Sequence, residues 1–305
     1  MLVTIGVAAW LCLAPAHAKL EERQAYGLAG IGFNSTGTVL GNAYNYWRKY
    51  PNGTFDLTRS DIMPVTAPKL IPFTASRQTA LIEPSRSVLC IIDMQNFFLH
   101  PDLSPSATAG RAAVPATVNM IKAFRSHHMA VTWVNWGLTD YDLLTIPPAF
   151  KSGFSTDDIA DQSFGSNMGT ITENGTTIQV GDLLMRGSWN AEPWGLLGPL
   201  KDEGLAAGTD FYFNKNRLSG LWGAQTPYGL WLQENEITTI FFGGVNADQC
   251  VWSTFIDAYF KGYDVIYVDD ISATTSPAYA TEMTRYNANL DGFVGNATAI
   301  IAALG

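Results

Sequence analysis

Residues 88–92, Val88-Leu89-Cys90-Ile91-Ile92, form an unbroken apolar run that stops at the carboxylate of Asp93. A strand packed on one face alternates apolar with polar residues, whereas a short run without alternation marks a strand covered on both faces, as parallel sheets require. The period then changes, with Val114, Val118, Ile121 and Phe124 recurring at helical spacing. A second strand is expected at Ala130–Trp136, and further strands at Phe211–Phe213, Ile237–Phe242 and Tyr263–Val268. Helices are expected between them around Tyr228–Gln233 and Asp248–Phe260, and Pro277 opens a final one. Strands alternating with helices predict an α/β fold, a doubly wound and mostly parallel sheet with helices on both faces. Ligands then belong beyond the carboxyl ends of the strands.

The rest of the chain is organised around that domain. Residues 1–18 are an uncharged apolar segment ending in Ala16-His17-Ala18, which reads as a signal peptide cleaved before Lys19. Four N-x-[ST] sequons, at Asn34, Asn52, Asn174 and Asn296, agree with a secreted, extracellular glycoprotein. Residues 19–84 carry Gly, Asn, Pro and Tyr without sustained periodicity and are expected to be an arm with little regular structure, wrapped on the domain or a partner subunit. The domain proper is assigned to residues 85–305. Within it, residues 137–209 form a long insertion with a hairpin around Asn174-Gly175. A net charge of -9 repels phosphate backbones and anionic lipid, so nucleic acid and membrane are poor partners and a small molecule is the better one; a homo-oligomer is left open. Once Cys12 is removed, Cys90 and Cys250 remain, too few for a disulfide framework.

Asp93, Lys215 and Cys250 are distant in sequence, yet each lies at the carboxyl end of an expected strand. Taken singly, the aspartate suits a turn, the lysine a solvated surface and the cysteine a packed thiol. Together they sit where such sheets build their sites. Cys250 follows a strand, two glycines and a polar helix entry, so the helix dipole and a nearby lysine would stabilise its thiolate. Gly243 and Gly244 would let the backbone approach a substrate closely, with N–H groups turned toward a developing oxyanion.

At these residues the chain resembles the isochorismatase-like cysteine hydrolases, through SVLCIIDMQNFF, NKNRLSGLW and FFGGVNADQCVWSTFIDAYFKGYDVIYVDD, spread over roughly residues 81–295. The resemblance implies a triad of Asp93, Lys215 and Cys250, a non-proline cis peptide at Val245–Asn246, and an oxyanion hole made by the N–H groups of Asn246 and Cys250. It implies acyl transfer: Asp93 deprotonates Cys250, a thioester forms, an amine leaves and water releases the acid.

The metal site of nicotinamidases, an Asp-x-His after the second strand, is replaced here by Val134-Asn135-Trp136-Gly137. Only His100, His127 and His128 remain in the mature chain. The expectation is an enzyme with no metal and no cofactor, cleaving the C–N bond of a small amide, ureide or carbamoyl compound. The alternatives are an isochorismatase acting on an enol ether, or a secreted effector or binding protein of the same fold. Gln95, Asn96, Asn135, Trp136 and Trp189 are the expected substrate-binding residues. The insertion is expected to act as a lid carrying Phe150, Phe154, Trp189 and Trp194.

Overall fold

A computed structural model describes residues 37–155, 158–159 and 162–305; the expected signal peptide and the sequon at Asn34 lie outside the described residues. Five strands, β1 (Thr38–Gly41), β2 (Tyr46–Lys49), β3 (Phe55–Asp56), β4 (Lys69–Pro72) and β5 (Thr79–Ile82), form a sheet of order β1-β2-β3-β5-β4. This corrects the expectation of little regular structure over that stretch. None of the strands exceeds four residues, too short for a period of two to stand out between the turns. The small sheet is fastened to the base of the main one. Buried Arg59 pairs with buried Asp264 at 2.7 Å, and the Trp47 indole N–H donates to the same carboxylate at 2.6 Å. Removing one partner of such a buried pair costs about 3–5 kcal/mol.

The apolar run becomes β6 (Ser87–Ile92), buried at every position. With β7 (Ala130–Trp136), β10 (Asp210–Lys215), β11 (Thr239–Val245), β12 (Asp264–Ala273) and β13 (Phe293–Gly295) it makes a parallel sheet of order β10-β7-β6-β11-β12-β13. A short helix after β6, α1 (Asn96–Leu99), leads to α2 (Thr108–Ser126). Leu89 and Ile91 face one core, with Ile121 and Phe124 of α2 and Ile300 of α9 (Ala297–Leu304). Val88, Cys90 and Ile92 face the other, with Leu232 of α6 (Pro227–Glu234) and Phe255 of α7 (Trp252–Phe260). The absence of alternation is thus the direct result of helices on both faces. Phe124 has no exposed surface, and cutting it to alanine would cost about 3–5 kcal/mol.

Three departures from the expected elements have local causes. β11 continues through Gly243 and Gly244, past the end expected at Phe242. Gly244 has φ +132°, and a Cβ there would lie 2.0 Å from the Ile92 carbonyl oxygen, so glycine serves the approach of β11 to β6 rather than to a substrate. The helix opened by Pro277, α8 (Ala278–Asp291), is followed by β13 and α9, so it is not the last. The expected insertion also contains a regular crossover helix, α5 (Leu197–Ala207), which packs on α2 and feeds β10; the excursion proper is residues 137–196.

That excursion carries α3 (Asp140–Thr145), whose Thr139 and Asp142 form a reciprocal capping box, and α4 (Pro148–Gly153). Its hairpin pairs β8 (Thr170–Glu173) with β9 (Thr176–Gln179) through Asn174 and Gly175, both at positive φ, the geometry that an Asn-Gly pair favours. Among the described residues no helix is long and apolar enough to cross a membrane.

Candidate active site

Asp93 directly follows β6 in a left-handed backbone conformation, φ +51°, which costs an L-residue about 1–2 kcal/mol. Its neighbours hold it there. The Asp93 N–H donates to Asn135 Oδ1 at 3.0 Å, and its Oδ1 accepts the Trp136 N–H at 3.0 Å. Its Oδ2 meets the Lys215 ammonium at 2.8 Å, with the two side chains 0% and 3% exposed. Lys215 closes β10, on the far side of β7 from β6, so the long lysine side chain crosses the end of β7 to reach the aspartate. Its ammonium also donates to the Arg217 carbonyl at 3.1 Å and lies 3.9 Å above the Trp136 ring.

Cys250 enters from β11 through a π turn, Ala247–Val251, that precedes α7. The Val245–Asn246 peptide before it is cis. The thiol is buried against the Asp93 carboxylate and the Trp136 indole. Three residues separated by up to 157 positions in sequence therefore meet at the carboxyl ends of β6, β10 and β11.

Burial is the largest influence on both acids. It pushes the Asp93 carboxyl up, opposed by Lys215, and pushes the Cys250 thiol up to about 12, again opposed by Lys215. The resting site is a neutral thiol beside a carboxylate–ammonium pair, and the carboxylate is a stronger base than an exposed one. Cys250 lies in the opening turn of that helical segment and Lys215 lowers its thiol, as expected, but burial is the larger influence, so the resting sulfur is a thiol where a stabilised thiolate was expected. Cys90 is likewise pushed up to about 12 by burial, with its thiol against Tyr228 and Thr132 on the helix-covered face.

The five expected substrate contacts divide. Gln95 has its amide nitrogen donating to the Trp136 and Ala191 carbonyls at 2.7 and 2.5 Å and its oxygen accepting the Trp136 N–H at 3.1 Å, which leaves it a strut between β7 and the excursion. Asn135 supports Asp93, and Asn96 donates to the Trp189 carbonyl at 2.8 Å. Trp189 is half-buried and lines a 630 Å³ cavity with His100, Glu173 and Trp194, a different one from the cavity at the cis peptide. Trp136 alone joins Asp93, Lys215 and Cys250.

A 620 Å³ cavity reaches Asn246 and Gln249 and is walled by Phe97, Phe98, Phe154 and Met168. Phe154 lies edge-on to Trp136 at 5.2 Å and stacks on Phe164 at 4.3 Å, so the excursion folds over the site through these two rings rather than through Trp189 and Trp194. Phe150 sits beneath Arg217 at 5.7 Å. Phe97, Phe98 and Phe164 were not singled out in the sequence; only the position of the first two, close behind Asp93, signals them. A 340 Å³ cavity reaches the group from Lys215 and includes Arg186 and Trp222. Among the described residues no three His, Cys, Asp or Glu side chains gather to hold a metal. Of the sequons, Asn52 and Asn174 are exposed, while Asn296 is half-buried and caps α9 by accepting the Ala299 N–H at 2.9 Å.

The isochorismatase domain profile matches residues 87–294. Among solved structures, a cysteine hydrolase from Pseudomonas syringae pv. phaseolicola 1448A superposes with a TM-score of 0.57 at 16% identity, covering 78% of this chain and 98% of its own. A nicotinamidase from Bacillus subtilis gives 0.52 at 21% identity, covering 69% of this chain and 99% of its own. An isochorismatase family protein from Desulfovibrio vulgaris subsp. vulgaris str. Hildenborough gives 0.52 at 21%, covering 72% and 98%. At these identities the likeness is one of fold.

Proposed function

Because the chain belongs to the isochorismatase domain family, whose members are hydrolases, we propose that it cleaves the C–N bond of a small uncharged amide, ureide or carbamoyl compound through a Cys250 thioester. The observation that carries this reading is the buried contact of Cys250 and Lys215 with one carboxylate, Asp93. A base of raised pKa beside an unionised thiol is what a proton transfer concerted with attack requires.

Asp93 takes the Sγ proton as sulfur bonds to the carbonyl carbon, and the carbonyl electron pair moves to oxygen. The N–H groups of Asn246 and Cys250 are the donors assigned to that oxyanion. The C–N bond then breaks, and Asp93 passes its proton to the departing nitrogen, which leaves as ammonia or an amine. Water attacks the thioester with Asp93 as base, releasing the acid and restoring the thiol. Lys215 keeps the carboxylate charged at rest and balances the sulfur when it is charged.

The carbonyl belongs in the 620 Å³ cavity, because that one includes Asn246. Its described lining holds aromatic, apolar and neutral polar side chains and no cation. Isochorismate carries two carboxylates, which such walls would leave unpaired, so amide cleavage is favoured over the enol-ether reaction. The apolar segment 1–18 and the four sequons support a secreted, glycosylated enzyme.

The test is a panel of small amides, ureides and isochorismate, with intact-mass detection of an acyl adduct. Turnover of a neutral amide, an adduct confined to Cys250, and its loss in Cys250→Ala are the expected results. Turnover of isochorismate alone, or a Cys250→Ala variant keeping more than a few per cent of the rate, would sink the covalent amidase reading.

A further inference from the structure

Trp136 is the only residue named above that touches all three members of the buried group. Its backbone N–H holds Asp93 Oδ1 at 3.0 Å, and its ring lies 3.9 Å under the Lys215 ammonium. Its indole has no exposed surface and sits against the Cys250 thiol. Yet the buried indole Nε1–H makes no full hydrogen bond, and the group it is set against is the Cys250 sulfur. Buried donors are nearly always satisfied, because stranding one forfeits its hydration, so an exception at the nucleophile needs a reason. A neutral thiol is a poor acceptor and a thiolate a strong one. The donor therefore gains a strong acceptor only when the sulfur becomes charged.

We propose that the Trp136 indole N–H hydrogen-bonds the Cys250 thiolate as it forms, making Trp136 a catalytic residue that stabilises the nucleophile alongside Lys215. This rests on the reading of Cys250 as the nucleophile. The indole is held for the task from two sides. Phe154 and Phe164 pack against it at 5.2 and 5.1 Å, and Lys215 covers its face, so the ring cannot swing away from the sulfur. Burial raises the thiol, and within this pocket the indole and the ammonium are the groups that pull it back. The arrangement is consistent with a site that keeps a cysteine unreactive at rest and admits its charge only into a prepared shell.

The readout is chemical and independent of any substrate: the rate of Cys250 alkylation by iodoacetamide at pH 8, followed at that residue by peptide mass spectrometry. Two variants remove the donor. Trp136→Phe keeps an aromatic face under Lys215, and benzothienylalanine at position 136 keeps the full bicycle with sulfur in place of N–H. A charge-assisted hydrogen bond lost from the thiolate lowers the thiolate fraction, and so the alkylation rate, by about tenfold or more. A smaller ring would open the pocket and speed labelling, so a slower rate in Trp136→Phe cannot come from packing. Should Trp136→Phe fail to fold, the isosteric variant carries the test. A tenfold fall with benzothienylalanine establishes the hydrogen bond; an unchanged or faster rate overturns it. Turnover by Cys250→Ala is measured in parallel, because it would remove the nucleophile reading while the alkylation rates still report the contact with Trp136.

Discussion

Replacing Lys215 with Met keeps the length of the side chain and removes the charge that faces Asp93. At neutral pH the variant leaves a carboxylate with no exposed surface facing an apolar group. Breaking a buried pair from one side costs about 3–5 kcal/mol. For a chain of this size that lowers Tm by roughly 6–10 °C, at ~2 °C per kcal/mol. The cost should depend on pH with a definite sign. Burial already holds the Asp93 carboxyl above its ordinary value, and without the ammonium it rises further. A carboxyl whose folded-state pKa is raised binds more protons folded than unfolded, so stability is fully present below the unfolded value of about 3.9 and is lost as pH rises through the folded one. The gap between wild type and Lys215→Met should therefore be small near pH 4 and widen toward pH 7. Adding Asp93→Asn should close most of it. Urea unfolding of the wild type, the two single variants and the double variant across pH 4–7 measures all of this. A gap of the same size at both ends of the range would mean that Lys215 stabilises by packing and that the pair is not the reason for its burial.

Other consequences can be checked directly. Gly244→Ala should destabilise the protein by more than the ~1 kcal/mol of its positive φ, because the added methyl meets the Ile92 carbonyl, and it should cut kcat by displacing the neighbouring Asp93; a variant with wild-type stability refutes this. The acid limb of kcat/KM should lie above the ordinary carboxylate range, with activity appearing as pH rises and Asp93 loses its proton. A limb at or below pH 4 would contradict the buried base. Phe154→Ala should change relative KM values across the amide panel while Trp189→Ala leaves them alone, since only the first lines the cavity at Asn246.

The sheet was legible because burial on both faces leaves an unbroken apolar run in the sequence, and Val88–Ile92 is such a run. Asp93, Lys215 and Cys250 could be grouped because a parallel sheet gathers its strand ends at one edge, so topology alone brings distant residues together. What the sequence hid was short or relational. Strands of two to four residues, as in β1–β5, are shorter than any periodicity can register. The partners of polar side chains were hidden as well: Gln95, Asn96 and Asn135 look like ligand contacts in sequence, yet each is occupied by backbone or a neighbouring side chain once β6, β7 and the excursion are brought together. The thiol was misjudged because a helix entry advertises its dipole in sequence while desolvation becomes visible only when the surrounding residues are packed around it.

The excursion of residues 137–196 leaves β7 beyond Trp136 and rejoins the regular pattern at α5, and its Pro193 is bridged back to Gln95, two residues after Asp93. Both attachment points are thus pinned to the sheet, and between them Phe154 and Phe164 bear on Trp136. Asp93 and Lys215 stand at the ends of β6 and β10 and Cys250 in the π turn after β11, and the excursion contributes Phe154 as a wall of the cavity at Asn246. Under the proposed function, a change in the segment between the pins is felt at the site through two rings, Phe154 and Phe164, on the Trp136 indole, while the Asp93–Lys215 pair stays with the sheet.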